Sequence, residues 1–417
     1  MVSQICHKCN ISVPGGNLAR HQRRYHSQGS MRTCSQCHKT IHAKGWFQHN
    51  KSHRLENPST EIPRASLPSP RTSLPPRPST PSPDSLWNSF LAITDISMLP
   101  LLDTYKEEIQ RAGGLSQLQS RKSPLWDSIG LHPPLLFPAD ECWVKKPSVE
   151  EYMSDLIINS NENTAIFGRG NPRQPLGSSH IYDVFQQLRQ PNITSALCAL
   201  NMDAGLPNVK IPERFHGKSA IFESSYDVKT NITPKFSGVD LHVDCGAHGI
   251  TLLHSGCVKL WALYPLTEKN CDLWAKRYNS NAMFIELQGQ LEGGEFCVQT
   301  EDQAIYLPPG CIHSTITLEG GLTPGIMFTT AECLRPSALI WDLDSGIKRD
   351  RDDCVYFLRS VEIIMHTKNQ TQYPKAMFEM CSRFKKIAAL KPNNWAHFKR
   401  CLPPVCSHCE KKWADHK

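Results

Sequence analysis

The chain has 417 residues, which allows two or three folded units and a core of ordinary size. It contains no run of about eighteen apolar residues, and its start lacks the basic-then-apolar pattern of a secretory signal. Some of the 17 cysteines lie at zinc-ligand spacings and the others are scattered among apolar residues. This usage favours a soluble intracellular protein with reduced thiols and zinc thiolates, and argues against membrane proteins and secreted disulfide-rich proteins.

Charge is distributed unevenly along the chain. Residues 1–85 contain 12 Lys and Arg against 3 Asp and Glu, and residues 383–417 contain 9 against 2. The whole chain contains 46 against 39, which leaves 25 against 34 for the middle. Basic ends around an acidic centre predict that the ends contact a polyanion, of which nucleic acid is the commonest.

The first 56 residues contain two copies of a metal-binding pattern. Each copy has two Cys separated by two residues and two His about one helical turn apart, which presents four ligands to a tetrahedral site. The predicted zinc ligands are Cys6, Cys9, His21, His26, Cys34, Cys37, His49 and His53. The pattern resembles the two-Cys, two-His zinc-finger family, and this resemblance implies two small ββα zinc fingers.

The same resemblance implies which residues would face DNA bases. The base-contacting positions are Pro14, Asn17 and Arg20 in the first finger and His42, Gly45 and Gln48 in the second. Only Asn17, Arg20 and Gln48 have side chains suited to bidentate contacts with bases. We therefore expect modest binding to DNA or chromatin, with a protein partner for the fingers as the alternative.

Two segments connect the fingers to the rest of the chain. Residues 57–85 are rich in Pro, Ser and Thr and lack apolar periodicity, which predicts a disordered linker. Residues 86–160 are predicted to be a helical lead-in, with one or two helices between residues 86 and 111. Ser148 and Glu151 have the spacing of a capping box, which predicts a helix from there through Ile158.

Residues 161–335 contain short apolar runs that are mostly separated by turn residues. The predicted strands are 164–167, 220–222, 239–243, 249–253, 258–263, 283–287, 296–299, 304–307 and 314–318. Many short strands with Gly and Pro between them are typical of a double-sheet jelly roll. The predicted fold class is therefore mainly β with flanking helices, a cupin-like double-stranded β-helix with two small zinc fingers.

The strand predicted at 239–243 introduces a candidate metal site. A strand directs residues i and i+2 to one face, so His242 and Asp244 are expected to point at a common site. His313 follows a Pro-Pro-Gly turn and is predicted to lie on a second strand. Two histidines and one carboxylate hold Fe(II) on one side and leave three positions open. His242, Asp244 and His313 are thus the predicted catalytic iron ligands, whereas His248 and His254 are expected to be loop or core residues.

Lys259 and Trp261 are two residues apart on the strand predicted at 258–263, so both side chains share a face. A lysine beside a tryptophan on one face suits a pocket that holds a carboxylate. Together with His-x-Asp and the Tyr-Leu-Pro-Pro-Gly-x-x-His segment that ends at His313, these residues resemble the JmjC-domain oxygenases, which use Fe(II), O2 and 2-oxoglutarate.

The JmjC resemblance implies a role for Lys259, which would bind the distal carboxylate of 2-oxoglutarate. The family uses an upstream Tyr or Thr against the same carboxylate. Tyr182, Thr230 and Thr251 are the candidates for that second contact, and the sequence does not choose among them.

The predicted C-terminal region, residues 336–417, is helical, with helices at 337–347, 352–365 and 374–390. The chain then ends in candidate ligands for a further zinc ion, namely His397, Cys401, Cys406 and Cys409, with His408 and His416 as alternates. Unpaired thiols are the competing interpretation.

The resemblances together imply a nuclear Fe(II)- and 2-oxoglutarate-dependent oxygenase that zinc fingers recruit to chromatin. Its reaction would hydroxylate a C–H bond of a protein substrate, with a histone tail as one candidate. An N-methyl carbon would give demethylation and a side-chain carbon would give hydroxylation, and the sequence leaves both open. The alternative is a non-catalytic DNA- or chromatin-binding transcriptional regulator with a retired JmjC barrel.

Overall fold

The structure is a computed structural model of the chain, and it divides into two units, Met1–Pro78 and Ser79–Lys417. In the first unit it describes four short strands: β1 (Ser3–Ile5), β2 (Ser12–Pro14), β3 (Met31–Thr33) and β4 (Thr40–His42). In the second unit it describes residues 82–92, 100–119, 123–159, 165–168, 175–176, 181–204, 208–216, 228–244, 246–277, 280, 282–343, 350–367, 371–390 and 395–413.

The first unit contains two antiparallel hairpins. Strand β1 pairs with β2, with Ser3 opposite Pro14, and β3 pairs with β4, with Met31 opposite His42. The eight predicted zinc ligands of the fingers, and the predicted linker up to residue 81, lie outside the described residues.

The second unit combines helices with strands. Its described helices are α1 (Pro83–Leu91), α2 (Pro100–Arg111), α3 (Pro124–Ser128), α4 (Val149–Asn159), α5 (Ile181–Arg189), α6 (Glu213–His216), α7 (Glu268–Arg277), α8 (Met283–Glu286), α9 (Leu334–Leu343), α10 (Asp350–His366), α11 (Tyr373–Leu390) and α12 (Trp395–Cys401). Its described strands are β5 (Leu135–Pro138), β6 (Trp143–Lys145), β7 (Ala165–Gly168), β8 (Pro175–Leu176), β9 (Leu197–Asp203), β10 (Asn208–Val209), β11 (Lys229–Thr233), β12 (Gly238–His242), β13 (His248–Thr251), β14 (Val258–Tyr264), β15 (Glu295–Gln299), β16 (Gln303–Leu307), β17 (Ile312–Glu319) and β18 (Gly321–Phe328).

Two antiparallel sheets form the centre of this unit. The larger has the order β5-β16-β13-β18-β11-β9-β7-β8, and the smaller has the order β12-β17-β14-β15. Their facing sides share an apolar cluster, in which Trp261 and Leu263 of the smaller sheet pack with Ile305 and Leu307 of the larger. Antiparallel sheets with helices around them are compatible with the predicted β-rich fold with flanking helices.

Helices cover the outer faces of both sheets. Alternation along β14 directs Leu260 and Tyr264 away from the other sheet, into a cluster that includes Tyr105 of α2. On the larger sheet, Tyr152 of α4 packs with Ile232 of β11. Each sheet is thus buried on two sides, and the space between the sheets is separated from the helical layers.

Helices α9 to α12 and the last described residues pack in an apolar cluster of their own. Among the described residues, no helix combines the length and apolar character needed to cross a bilayer.

Local signals in the sequence explain several helix starts. The predicted capping box is confirmed, because the Glu151 amide donates to Ser148 Oγ at 3.2 Å and the Ser148 amide donates to Glu151 Oε2 at 3.0 Å. Helix α1 begins earlier than predicted, since the Ser82 hydroxyl accepts the Ser85 amide and Pro83 suits the first helical turn.

The strand predicted at 283–287 is wrong, because these residues form the short helix α8. The carboxylate of Asp240 accepts the amides of Met283 and Phe284, at 2.7 and 2.9 Å, and so satisfies the N-terminal donors of that helix. A short apolar run does not by itself distinguish a strand from a buried helix.

Candidate metal centre

His242, Asp244 and His313 converge on one site. His242 ends β12 and lies directly opposite His313 of β17, with ring centroids 4.1 Å apart. Asp244 lies just beyond the end of β12, rather than on the strand as the sequence predicts. One ligand atom from each of the three residues lies within 4.8 Å of the others, so the group can hold a metal ion.

The backbone orients both imidazoles of this group. Nδ1 of His242 lies 2.8 Å from the Asp240 carbonyl oxygen, and Nδ1 of His313 lies 3.0 Å from the Cys311 carbonyl oxygen. Since a carbonyl only accepts, Nδ1 carries the proton in both rings and Nε2 keeps its lone pair. Each Nε2 faces Asp244, at 3.3 Å from His242 and 3.7 Å from His313. This is the arrangement by which backbone groups prepare histidines for a metal.

The group is buried on one side and open on the other. His313 is 4% exposed, and burial lowers its pKa to about 4, assisted by the neighbouring His242, so the ring is neutral near pH 7. The Asp244 side chain is 49% exposed. A small, partly open pocket borders the site, lined by Asp244, Ala247, Gly249, Leu307, Pro308, Cys311, His313 and Met327. The group is therefore open to solvent on the Asp244 side and closed on the His313 side.

The turn before β17 sets the position of His313. Gly310 has a φ of +74°, a conformation that a side chain disfavours, and a Cβ there would lie 2.9 Å from Leu266 Cδ2. The Cys311 amide closes the turn on the Pro308 carbonyl at 3.1 Å. The Pro-Pro-Gly segment thus fixes where β17 starts.

Lys259 points into the space between the sheets. It lies opposite Gln299 and Thr317 in the smaller sheet and shares the face of Trp261, whose Nε1 donates to Gln299 Oε1 at 3.0 Å. Its side chain is 3% exposed, and burial lowers its pKa.

Among the described residues, the thiols of Cys257 and Cys198 oppose the lowering of the pKa of Lys259. A buried ammonium is costly without an anion beside it, because the charge has lost its hydration. The position of Lys259 therefore suits an anionic ligand that enters between the sheets.

The three candidates for a second carboxylate contact occupy different environments. Tyr182 is 72% exposed on α5. The Thr230 hydroxyl lies in the outer layer, 2.5 Å from the Tyr152 hydroxyl of α4. Thr251 lies opposite Ile305 of the sheet-facing cluster, and its carbonyl accepts a hydrogen bond from Gln299 at 2.9 Å. Of the three, Thr251 is the one whose side chain shares the face that borders the space between the sheets.

The two other histidines near the motifs have structural contacts. His248 bonds to the hydroxyls of Tyr306 and Thr330, at 2.8 and 2.7 Å, and His254 Nε2 bonds to the Pro147 carbonyl at 2.9 Å. Neither belongs to the three-residue group.

A second group of candidate ligands lies in the C-terminal region. Sγ atoms of Cys381, Cys406 and Cys409 lie within 4.8 Å of one another. The sequence predicts Cys406 and Cys409 but not Cys381, since no short spacing connects Cys381 on α11 with the terminal pair. The side chains of His397 and Cys401 lie outside the described residues, as does His416. The His408 ring packs edge-on against Phe378, with centroids 4.9 Å apart.

In comparisons with known proteins, no protein-family profile matches this chain and no curated protein matches it.

Proposed function

We propose that the chain is an Fe(II)- and 2-oxoglutarate-dependent oxygenase of the JmjC type. The observation that carries the proposal is the convergence of His242, Asp244 and His313 with both Nε2 atoms directed at one site. Two imidazoles and one carboxylate on one side of an ion are the ligand set of non-haem Fe(II) oxygenases.

Strand order supports a double-stranded β-helix as the scaffold. Strands β11, β13, β16 and β18 lie together in the larger sheet, whereas β12, β14, β15 and β17 make the smaller one. The chain thus crosses repeatedly between two facing sheets, as in a jelly roll. In that scaffold the iron ligands come from the ends of β12 and β17, and Lys259 comes from β14 between them in the chain.

Different residues of this chain would bind the iron and the co-substrate. His242, Asp244 and His313 would hold Fe(II) and leave positions open for 2-oxoglutarate and O2, which together supply the oxidising chemistry for a C–H bond. Lys259 would bind the distal carboxylate through a charge-assisted hydrogen bond, worth about 1.5–3 kcal/mol. The Trp261–Gln299 hydrogen bond would keep that wall of the site rigid.

Recruitment to DNA or chromatin in the nucleus is the second part of the proposal. The hairpins β1–β2 and β3–β4 match the two-strand portion that a ββα zinc finger requires. The substrate would be a protein, with a histone tail as one candidate, and the outcome would be demethylation or hydroxylation according to the carbon that is oxidised.

One observation favours a non-catalytic binding module as the second candidate. Tyr182 is exposed and Thr230 bonds to Tyr152, which leaves Thr251 as the one of the three candidates that could supply the second contact to the distal carboxylate. Such a module would serve as a DNA- or chromatin-binding regulator.

Turnover of 2-oxoglutarate without a protein substrate separates the two candidates. The full chain, supplied with Fe(II), ascorbate, O2 and 2-oxoglutarate, should release succinate slowly, and Asp244→Asn should abolish that release. Asp203→Asn is the matched control. Asp203 lies on β9, outside the metal group, and pairs with Lys229 of β11. A wild-type chain that binds iron and releases no succinate would favour the binding module.

A further inference from the structure

We propose that Cys381, Cys406 and Cys409 bind a zinc ion that fastens the C-terminal segment to helix α11. The proposal is independent of the oxygenase activity, because none of these residues belongs to the group around His242.

The distances between the sulfur atoms suit a metal. Cys381 Sγ lies 3.6 Å from Cys409 Sγ. Tetrahedral zinc with Zn–S bonds of about 2.3 Å separates its sulfur ligands by about 3.8 Å. A disulfide would bring the two atoms to about 2.05 Å. The separation is therefore close to that of two thiolates around one ion and much longer than a disulfide bond.

The two terminal cysteines lie on a turn that directs both thiols to one side. Val405 and Lys412 form an antiparallel bridge, and the Cys406 amide donates to the Lys411 carbonyl at 2.9 Å. The Glu410 amide donates to the Cys406 carbonyl at 2.8 Å, and Glu410 has a φ of +57°. A Cys-x2-Cys turn closed in this way presents two ligands to one ion.

Apolar contacts and hydrogen bonds also hold the segment against the helices. Cys406 is buried, and Trp413 stacks on Phe384 of α11 with ring centroids 5.1 Å apart. Trp413 also donates from Nε1 to the Pro403 carbonyl at 2.8 Å. So short a segment buries too few apolar side chains for a core of its own, and a structural metal commonly supplies the missing free energy.

The C-terminal region is basic. Residues 383–417 contain 9 Lys and Arg against 2 Asp and Glu, and Lys411 and Lys412 come just after Glu410. Nearby positive charge stabilises thiolates, and three or four thiolates on zinc leave a net negative charge to be compensated. Cys401 and His397 of α12 are the sequence's candidates for the fourth position, with water as the alternative.

Zinc content measured on variants of the full chain tests the proposal. Cys381→Ala and Cys409→Ala should each lose one equivalent of zinc relative to the wild type, as measured by elemental analysis. Cys409→His, which keeps a ligand, should retain that equivalent. Cys271→Ala is the matched control, because Cys271 is also half-buried but lies on α7, outside the thiol group. The difference between variants isolates this site from zinc bound at the predicted fingers.

Cobalt provides a readout that does not depend on the C-terminal variants folding. In a chain with Cys9→Ser and Cys37→Ser, which disable the predicted fingers, Co(II) should still develop thiolate-to-cobalt absorption, and a thiol-specific mercurial should still release zinc. Unchanged zinc in both alanine variants would overturn the proposal. So would a thiol titration in which the wild type falls two thiols short and recovers with reductant while Cys381→Ala shows no such shortfall, because that result would make Cys381 and Cys409 a disulfide.

Discussion

His242 and His313 lie directly opposite each other on the antiparallel strands β12 and β17, and a backbone carbonyl holds each ring by Nδ1. The register of two strands therefore sets the separation of the two Nε2 atoms. Because the strands also pair at Gly238 with Ile316 and at Val239 with Thr315, the two imidazoles can be changed without removing the ladder that holds them.

We expect His242→Ala and Asp244→Ala each to abolish iron binding with little loss of fold. Asp244 is about half-exposed, so its removal leaves no cavity in the core. Iron content by elemental analysis and the thermal midpoint measure the two effects separately. His366→Ala is the control, because that histidine is exposed on α10. Equal iron in variant and wild type would refute the ligand assignment.

Lys259→Met should weaken 2-oxoglutarate binding by about 1.5–3 kcal/mol while iron remains bound. The same change should raise the free energy of unfolding of the protein without ligand, because it removes a buried amine whose charged form is disfavoured by burial. Calorimetry and urea unfolding measure the two effects. Lys229→Met, at a half-exposed surface ion pair, should change neither by more than about 0.5 kcal/mol. Unchanged affinity for 2-oxoglutarate would mean that another cation holds the carboxylate.

His248 should make the protein sensitive to mild acid. Burial lowers its folded-state pKa to about 3, below the unfolded value of about 6.5. The neutral ring therefore stabilises the fold fully above pH 6.5, and this contribution is lost as pH falls toward 3. The slope from this residue approaches about 1.4 kcal/mol per pH unit between those values.

Urea unfolding at pH 7 and pH 5 tests the role of His248. The His248→Gln variant should be less stable at pH 7, since the bonds to Tyr306 and Thr330 are weakened, and should lose less stability on acidification. His366→Gln should keep the wild-type slope. Parallel slopes for the wild type and His248→Gln would show that another group is responsible.

The predicted fingers should bind DNA in a way that depends on both salt and zinc. Affinity should fall steeply as salt rises, because each phosphate neutralised by Lys or Arg releases counterions. The double variant Cys9→Ser and Cys37→Ser should lose most of the binding, because an unfolded finger no longer presents Arg20, Arg23 and Arg24 together. A gel-shift series across salt measures both effects. Equal binding by the wild type and the double variant would indicate non-specific attraction of basic residues to DNA. No binding at low salt would favour a protein partner.

The metal group was predictable because its residues are fixed by short motifs. His-x-Asp places two ligands within three residues, and the Pro-Pro-Gly turn indicates the start of the strand that carries His313. Lys259 and Trp261 were also predicted on one face, since strand alternation is a local property. Asp244 departs from that pattern only because β12 ends at His242.

The sequence did not predict strands and contacts that local residue patterns do not indicate. Strand β11 is polar, and β18 contains Pro324 and two glycines, so neither has the apolar alternation of a strand. Both form because neighbouring strands satisfy their backbone groups, which is a tertiary effect. Cys381 was missed for the same reason, since it reaches Cys409 only when α11 packs against the terminal turn.

The most direct test of the oxygenase assignment is an anaerobic titration of Fe(II) and 2-oxoglutarate into the full chain. The proposal predicts a weak visible charge-transfer band that saturates at one equivalent of each, that is absent from Asp244→Ala, and that needs more 2-oxoglutarate in Lys259→Met. A folded wild-type protein that binds Fe(II) and develops no band would contradict it, because iron in this group would then fail to chelate the co-substrate.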